Sequence, residues 1–383
     1  MNTIKNPKIL EAALNNAIAI LKENLAQYTH EFPKHTTINN FYPKGENDDW
    51  TNGFYTGTLW LAYEVTNNEL FKEVALIHVE SFSKRINERF NTDHHDMGFL
   101  YSLSCVAAYQ LCKNENAKDA ALKAADALLE RFHEKGQFLQ AWGEIGASDN
   151  YRLIIDCLMN LPLLYWASEI TGNSIYKEKA DAHAKTSISH LVRPDFSTYH
   201  TYFFDPTTGA PIKGVTAQGF KDDSAWARGQ AWGVYGLALC YKYTKDPLCI
   251  ELFYPVTDFF IDKLPADGIP YWDLDFTDKD DEPKDSSAAA ITACGILEMI
   301  KYLPEDKVAY YKNVAQEMFV NLAKGYATVD PKLANGLLMH SVYAKSSPYN
   351  TVTDLGVDEC SLWGDYFFME LMVRLSTDWK LYW

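Results

Sequence analysis

The sequence predicts an all-α fold, a toroid in which helix pairs stack side by side around a ring. Apolar residues at helical spacing recur in about twelve stretches, with no strand–helix alternation of the kind that builds a parallel sheet. The stretches also come in two textures. One is rich in small and aromatic residues, as in GFYTGTLWLAYE, GFLYSLSCVAAYQL, GQAWGVYGLALCYK and SSAAAITACGILEM, and the member that follows is longer and more charged. Small residues let backbones approach closely and suit an inner ring, while charged helices suit a solvated outer ring. Repeated pairs of this kind close into rings or solenoids.

Taken in order, the first helix runs from Asn6 to about Gln27, with Ile9, Leu10, Ala13, Ala17, Ile20, Leu21 and Leu25 on one stripe. A polar loop leads into DDWTNGFYTGTLWLAYEVT, with Asp49 or Thr51 as its cap. Further helices are expected near 69–89, 97–113, 116–134 and 174–191. The central stretch GEIGASDNYRLIIDCLMNLPLLYW opens on a loop and becomes a strongly apolar run at Leu153. Residues 193–224 read as loop and short extended pieces, STYHTYFF having the β-branched and aromatic content of a strand. Helical patterning returns near 225–243, 248–263, 286–302, 307–324 and 361–376. No linker or composition break occurs. Residues 1–383 therefore read as one domain, with the 193–224 insertion forming a rim over the mouth.

Apolar content of 47% is ample for a large core, and 14% aromatic residues, with ten Trp and 24 Tyr, suit either that core or a cleft for sugar-like ligands. The net charge of −16 argues against nucleic acid as a partner, since phosphate binding relies on basic patches. The N-terminus reads as an amphipathic helix rather than a secretion signal, and no apolar run reaches the roughly 18 residues of a membrane span. Seven cysteines without a CxxC pair support neither a disulfide frame nor a zinc site. The expectation is a reduced, cytoplasmic protein with no membrane partner.

Asp156 sits inside the central apolar run, among Ile154, Ile155, Leu158 and Met159. It is either a core Asp satisfied by a backbone group or an Arg, or a general acid kept protonated by its setting. In DHHDMGFLYS, Asp96 precedes an inner-type helix and is either a cap or a second functional carboxylate. His94 and His95 lack metal-ligand spacing, so no metal is expected. Trp142 is a sugar platform or a core residue. His200 lies in the strand-like segment, and Gln218, Trp226, Arg228, Gln230 and Trp232 follow within a short span. Trp226 and Trp232, six residues apart, differ in direction by about 120° on one helix. Arg228 in a small-residue helix needs an anion, either a ligand carboxylate or an internal acid. Elements for a serine nucleophile, a phosphate loop or a dinucleotide are missing. What remains suits a sugar acid.

DWTNGFYTGTLWL, TDHHDMGFLYSLS, IIDCLMNLPLL, GQAWGVYG, DSSAAAITACGILE and WGDYFF, in this order over residues 8–376, resemble the unsaturated glucuronyl hydrolases of glycoside hydrolase family 88. The resemblance implies an (α/α)6 barrel that takes disaccharides left by polysaccharide lyases. It implies hydration of the 4,5 double bond of the unsaturated uronic acid, with no cofactor. By motif position, Asp156 is the general acid and base, and Asp96 the other essential carboxylate. Trp50, His95, Trp142, His200, Gln218, Trp226, Arg228 and Trp232 match positions lining the sugar site. Members that prefer sulfated glycosaminoglycan disaccharides look as if they carry Ser-x-x-Ser-x-Lys ahead of WGDY. Here Ala344 stands where the first Ser is expected, and Lys345, Ser346 and Ser347 are the candidates to meet a sulfate. Sulfate preference is open at this point. Alternatives are an unsaturated rhamnogalacturonyl hydrolase, a conventional inverting glycosidase, and a sugar-binding protein with a dead site, against which both carboxylates speak.

Overall fold

Glycine and alanine decide how closely the inner helices approach one another. In the computed structural model, which describes residues 5–383, a Cβ on Gly53 would lie 2.0 Å from the Phe99 carbonyl oxygen. One on Gly295 would lie 2.7 Å from Cα of Tyr235, so both contacts are open to glycine alone. The helices are α1 (Pro7–Leu25), α2 (Asn52–Thr66), α3 (Glu69–Asn87), α4 (Met97–Tyr101), α5 (Ala107–Cys112), α6 (Glu115–Leu129) and α7 (Leu161–Thr171). They continue with α8 (Ser174–Leu191), α9 (Ala227–Thr244), α10 (Pro247–Asp262), α11 (Ser286–Met299), α12 (Glu305–Gly325) and α13 (Leu362–Ser376).

Helices α2, α4–α5, α7, α9, α11 and α13 form the inner ring. The helices α1, α3, α6, α8, α10 and α12 alternate with them outside. All 14 residues of α11 are buried, whereas α12 buries a stripe through Tyr311, Ala315, Met318, Phe319 and Leu322. Contact between α13 and α2 closes the ring. The architecture is the expected all-α (α/α)6 barrel.

One local expectation needs correction. The inner helix expected over 97–113 is interrupted by a π-helical turn at Ser102–Val106. There the Trp60 indole donates to the Ser104 carbonyl (3.1 Å) and the Ser104 hydroxyl to the Leu100 carbonyl (2.5 Å). Side-chain donors thus take part in the backbone ladder where the turn widens. Asp156 lies in a short 3₁₀ turn, Ile155–Met159, ahead of α7. Arg152–Ile154 is a strand, and α7 starts only at Leu161, with Pro162 in the first-turn position proline favours.

That strand pairs with Thr201–Phe204, which pairs in turn with Pro211–Val215. The STYHTYFF segment is therefore extended where expected, and the inserted region is fastened to the turn that carries Asp156. A second hairpin, Ser341–Ala344 with Leu355–Glu359, precedes α13. No helix is long and apolar enough to cross a membrane among the described residues.

Candidate active site

The inner helices begin at one end of the barrel, and their first residues meet there. Trp50 stacks on Trp363 at the start of α13, with ring centroids 5.6 Å apart. Arg228, in the first turn of α9, pairs with Asp285, the N-cap of α11 (3.3 Å). Asp96 is the N-cap residue of α4, and Asp156 lies in the turn before α7. Helix N-termini carry partial positive charge, which favours negative groups at this end despite the acidic chain.

At the centre stands His95, with 0% of its side chain exposed. Its Nε2 lies 3.4 Å from Asp96 Oδ1 and 3.5 Å from Asp156 Oδ1. Those two oxygens and both His95 ring nitrogens are buried without a hydrogen-bond partner. Such groups are costly, and a site waiting for a ligand is one setting that retains them. The cap alternative for Asp96 does not hold, because its side chain bonds no helix N–H. Nor is Asp156 a satisfied core residue; its side chain keeps 17% exposure and Asp96 keeps 10%.

Electrostatics divides the labour between the carboxyls. Burial pushes the Asp156 carboxyl well above its usual range, and the charge of Asp96 pushes it further; Arg228 pulls back. Burial opposes ionisation of Asp96 too, yet the imidazoles of His95 and His94 outweigh it and hold that carboxyl below its usual range. Burial drives His95 down to about 4 against the pull of Asp96, so at neutral pH it is uncharged and His94 gives Asp96 its lasting support. Asp96 keeps the charge and Asp156 keeps the proton.

The pattern of Glycosyl Hydrolase Family 88 matches residues 21–331. The chain belongs to this family. It is a glycoside hydrolase, 47% identical to the unsaturated chondroitin disaccharide hydrolase of Streptococcus pneumoniae, over 97% of this chain and 93% of that protein. It superposes on the crystal structure of the unsaturated glucuronyl hydrolase of Streptococcus agalactiae with a TM-score of 0.94 at 45% identity, covering 100% and 98% of the two chains. An Asp-to-Asn mutant of that hydrolase, complexed with dGlcA-GalNAc6S, matches with a TM-score of 0.86 at 42% identity, covering 100% and 98%.

Around the carboxyl pair of this family 88 chain, the other expected residues divide. Trp50 sends its indole N–H to the Tyr343 hydroxyl (2.9 Å). Trp142, 36% exposed, stands edge-on to His95 at 6.3 Å. His200 packs on Trp226 at 4.8 Å, and burial pushes its imidazole down to about 3. Trp232 is a correction. Its ring is 1% exposed and packs on Phe99 and Phe367, so it belongs to the core. Gln230 likewise donates to the carbonyls of Phe196 and Val256 within the fold.

Arg228 realises the internal alternative. Its Nη1 meets Asp285 and the Val342 carbonyl, and its Nη2 meets Gln218 Oε1 (2.6 Å) and the Tyr343 carbonyl (2.8 Å). The rings of Trp226 and Trp363 cover it at 4.4 and 4.8 Å. No terminal N–H is left for a ligand carboxylate. Arg228 instead orients Gln218, whose amide oxygen it takes while the amide N–H groups face away. The serines are a further correction. Ser346 donates to Asp354 (2.6 Å) and Ser347 to the Phe220 carbonyl (2.6 Å), so both hydroxyl protons are engaged within the loops.

Asp285, Tyr343, Trp363 and Arg152 escaped the sequence reading. Asp285 sits just ahead of a small-residue helix, a position shared with Asp96 that would have marked it, and Trp363 lies in the first turn of α13. Tyr343 and Arg152 lie on strands and carried no such mark.

Proposed function

We propose that Asp156 and Asp96 carry out hydration of the 4,5 double bond of an unsaturated uronic acid, releasing it from lyase-generated glycosaminoglycan disaccharides. One observation carries this reading: a buried carboxyl held protonated beside an ionised one, with both open to the mouth. Asp156 gives its proton to C4 of the vinyl ether. The resulting positive charge at C5 is taken by water, whose proton returns to the Asp156 carboxylate. The C5 hemiketal then opens: the C5–O5 bond breaks, C5 becomes a ketone, and O5 keeps a proton as the hydroxyl of a hemiacetal at C1. That hemiacetal collapses to an aldehyde as the C1–O bond to the partner sugar breaks and that oxygen takes the proton. Asp96 binds ring hydroxyls, and its charge adds to burial in keeping Asp156 protonated, while His95 sits between them as a neutral hydrogen-bonding group. Gln218 turns its amide N–H groups to the uronate carboxylate, and Trp142 supplies the platform for the partner sugar.

An inverting glycosidase fits poorly. Oxygens of Asp96 and Asp156 come within 4.8 Å of each other. An inverting pair stands about 6.5–9.5 Å apart to admit water between them. The chemistry proposed needs an acid and a water, and no cofactor. The chain is read as one domain, with the 193–224 insertion as part of the mouth.

The test is direct. Purified protein mixed with an unsaturated chondroitin disaccharide should abolish the ultraviolet absorbance of the alkene and leave a saturated analogue intact. Cleavage of the saturated analogue, or an unchanged alkene on every unsaturated uronide offered, defeats the reading.

A further inference from the structure

The turn that carries Trp142 is wound around one buried side chain. Residues 142–146 lie at the exposed rim, yet Gln140, two positions ahead of them, is buried. Its amide nitrogen donates to the carbonyls of Trp142 (2.9 Å) and Glu144 (2.8 Å), with that of Gly143 at 3.5 Å. Its amide oxygen accepts from the Gly146 N–H (2.9 Å) and from Nε2 of His133 (2.8 Å). Only one orientation of the amide fits. Turned over, its nitrogen would face an N–H and its oxygen would face carbonyls. Arg131, also buried, stands behind, donating to the Gln140 and Gly143 carbonyls (2.8 and 3.0 Å) and pairing with Asp93.

The amide is not needed to hold its own stretch of chain, because backbone bonds do that. The Gln140 N–H meets the Arg131 carbonyl (2.9 Å), the Ala141 N–H the Arg152 carbonyl (3.0 Å), and the His95 N–H the Ala141 carbonyl (2.8 Å). What the side chain fixes is the turn that follows. Exposed loops with few contacts open readily, and a half-exposed indole on a loose one would settle onto the nearest apolar surface. Arg152 backs one face of the Trp142 ring, its guanidinium carbon 4.5 Å from the centroid. The ring is thus held from behind, and Gln140 holds its root.

We propose that Gln140 is a positioning residue for the reaction: by gathering the 142–146 turn onto its amide, it sets Trp142 in advance where the partner sugar will lie. It touches no reacting atom and acts through Trp142 alone. This rests on the hydratase reading above, in which Trp142 is that platform. The gain is pre-organisation, since a ligand that meets a fixed ring does not bear the cost of ordering it.

The experiment compares an unsaturated chondroitin disaccharide with the methyl glycoside of the same unsaturated uronic acid, which has no second ring. Both kcat and KM are measured for wild type, Gln140→Met, Trp142→Ala and the double variant. The ratio of disaccharide to methyl glycoside kcat/KM should fall roughly 2- to 10-fold in Gln140→Met, through KM, the range that ordering one side chain spans. The double variant should fall no further than Trp142→Ala alone, because residues that act through one another do not add. Gln140→Glu turns an oxygen toward the same carbonyls, should show the same fall, and carries the test should the methionine variant fail to fold. An equal loss on both substrates, an unchanged ratio, or losses that add in the double variant overturn the proposal. A Trp142→Ala ratio equal to that of wild type overturns it too. If the methyl glycoside turns over too slowly to measure, the KM change and the double variant on the disaccharide decide. A wild type inert on both substrates instead removes the hydratase reading beneath it.

Discussion

The two ends of the barrel treat buried charge in opposite ways. Where the inner helices end, Arg374 donates to Glu370 (2.8 Å), to Glu298 (3.0 Å) and to the Tyr235 hydroxyl. Glu370 also accepts from the Trp383 indole (2.9 Å), and Glu298 from Lys301 (2.8 Å) and Tyr302 (3.1 Å). Every charge there has partners, Arg374 stays fully protonated, and Glu298 is held below its usual range against the pull of burial. Where the inner helices begin, His95, Asp96 and Asp156 carry buried atoms with none. Satisfied networks hold a fold together, whereas orphaned groups wait for a ligand and weaken the empty protein. The same inner helices thus serve stability at one end and reactivity at the other.

Breaking the reactive end should have the largest effect on turnover. Asp156→Asn is nearly isosteric, cannot give or take the proton, and should lower kcat by about 10²–10⁴-fold or more. It should also raise the melting temperature at neutral pH. Asp156 holds its proton when folded and loses it when unfolded, so stability falls as pH rises from the unfolded carboxyl range toward the raised folded one. The asparagine variant escapes that loss, and the two melting curves should converge in acid. A variant that is less stable than wild type at pH 7 contradicts the account.

Breaking the satisfied end should do the reverse. Arg374→Met leaves Glu370 buried without its cation and Glu298 with Lys301 alone, which should cost about 3–5 kcal/mol in denaturant unfolding. The kcat per folded molecule should stay near wild type. If turnover falls while stability holds, the division between the ends is wrong.

A finer test separates the carboxyls. Asp96→Asn removes the charge that helps to keep Asp156 protonated, so the alkaline limb of the rate profile should move to lower pH, on top of a reduced kcat. A limb that stays put or moves upward denies the electrostatic link. The smallest effect belongs to Trp142→Ala. Loss of a half-exposed stacking face should raise KM for the disaccharide about 2- to 10-fold and leave kcat little changed.

Much of this was legible beforehand, for a local reason. Helical periodicity and the small-residue texture of α2, α9 and α11 are properties of neighbouring positions, and they point to a ring of helix pairs without coordinates. The greasy company of Asp156 is likewise written within eight residues. Matters of partnership were not. Arg228 had 51 acidic residues to choose from, and only the fold brings it to Asp285, 57 positions away. Trp226 and Trp232 are alike on paper, yet one caps α9 beside His200 while the other turns into the core. The apolar run containing Asp156 is unbroken in sequence and does not say where strand gives way to helix; pairing with Thr201 makes Ile154 extended.

Residue order by itself determined which stretches are helical, which of them pack closely, and that one carboxyl must live among apolar neighbours. The tertiary structure alone decided that His95 stands between two carboxyls sixty positions apart, and that the turn bearing Trp142 closes on the Gln140 amide. The reason is physical. Propensity and burial follow from near neighbours, while a proton's position follows from charges that only chain closure brings within a few ångströms.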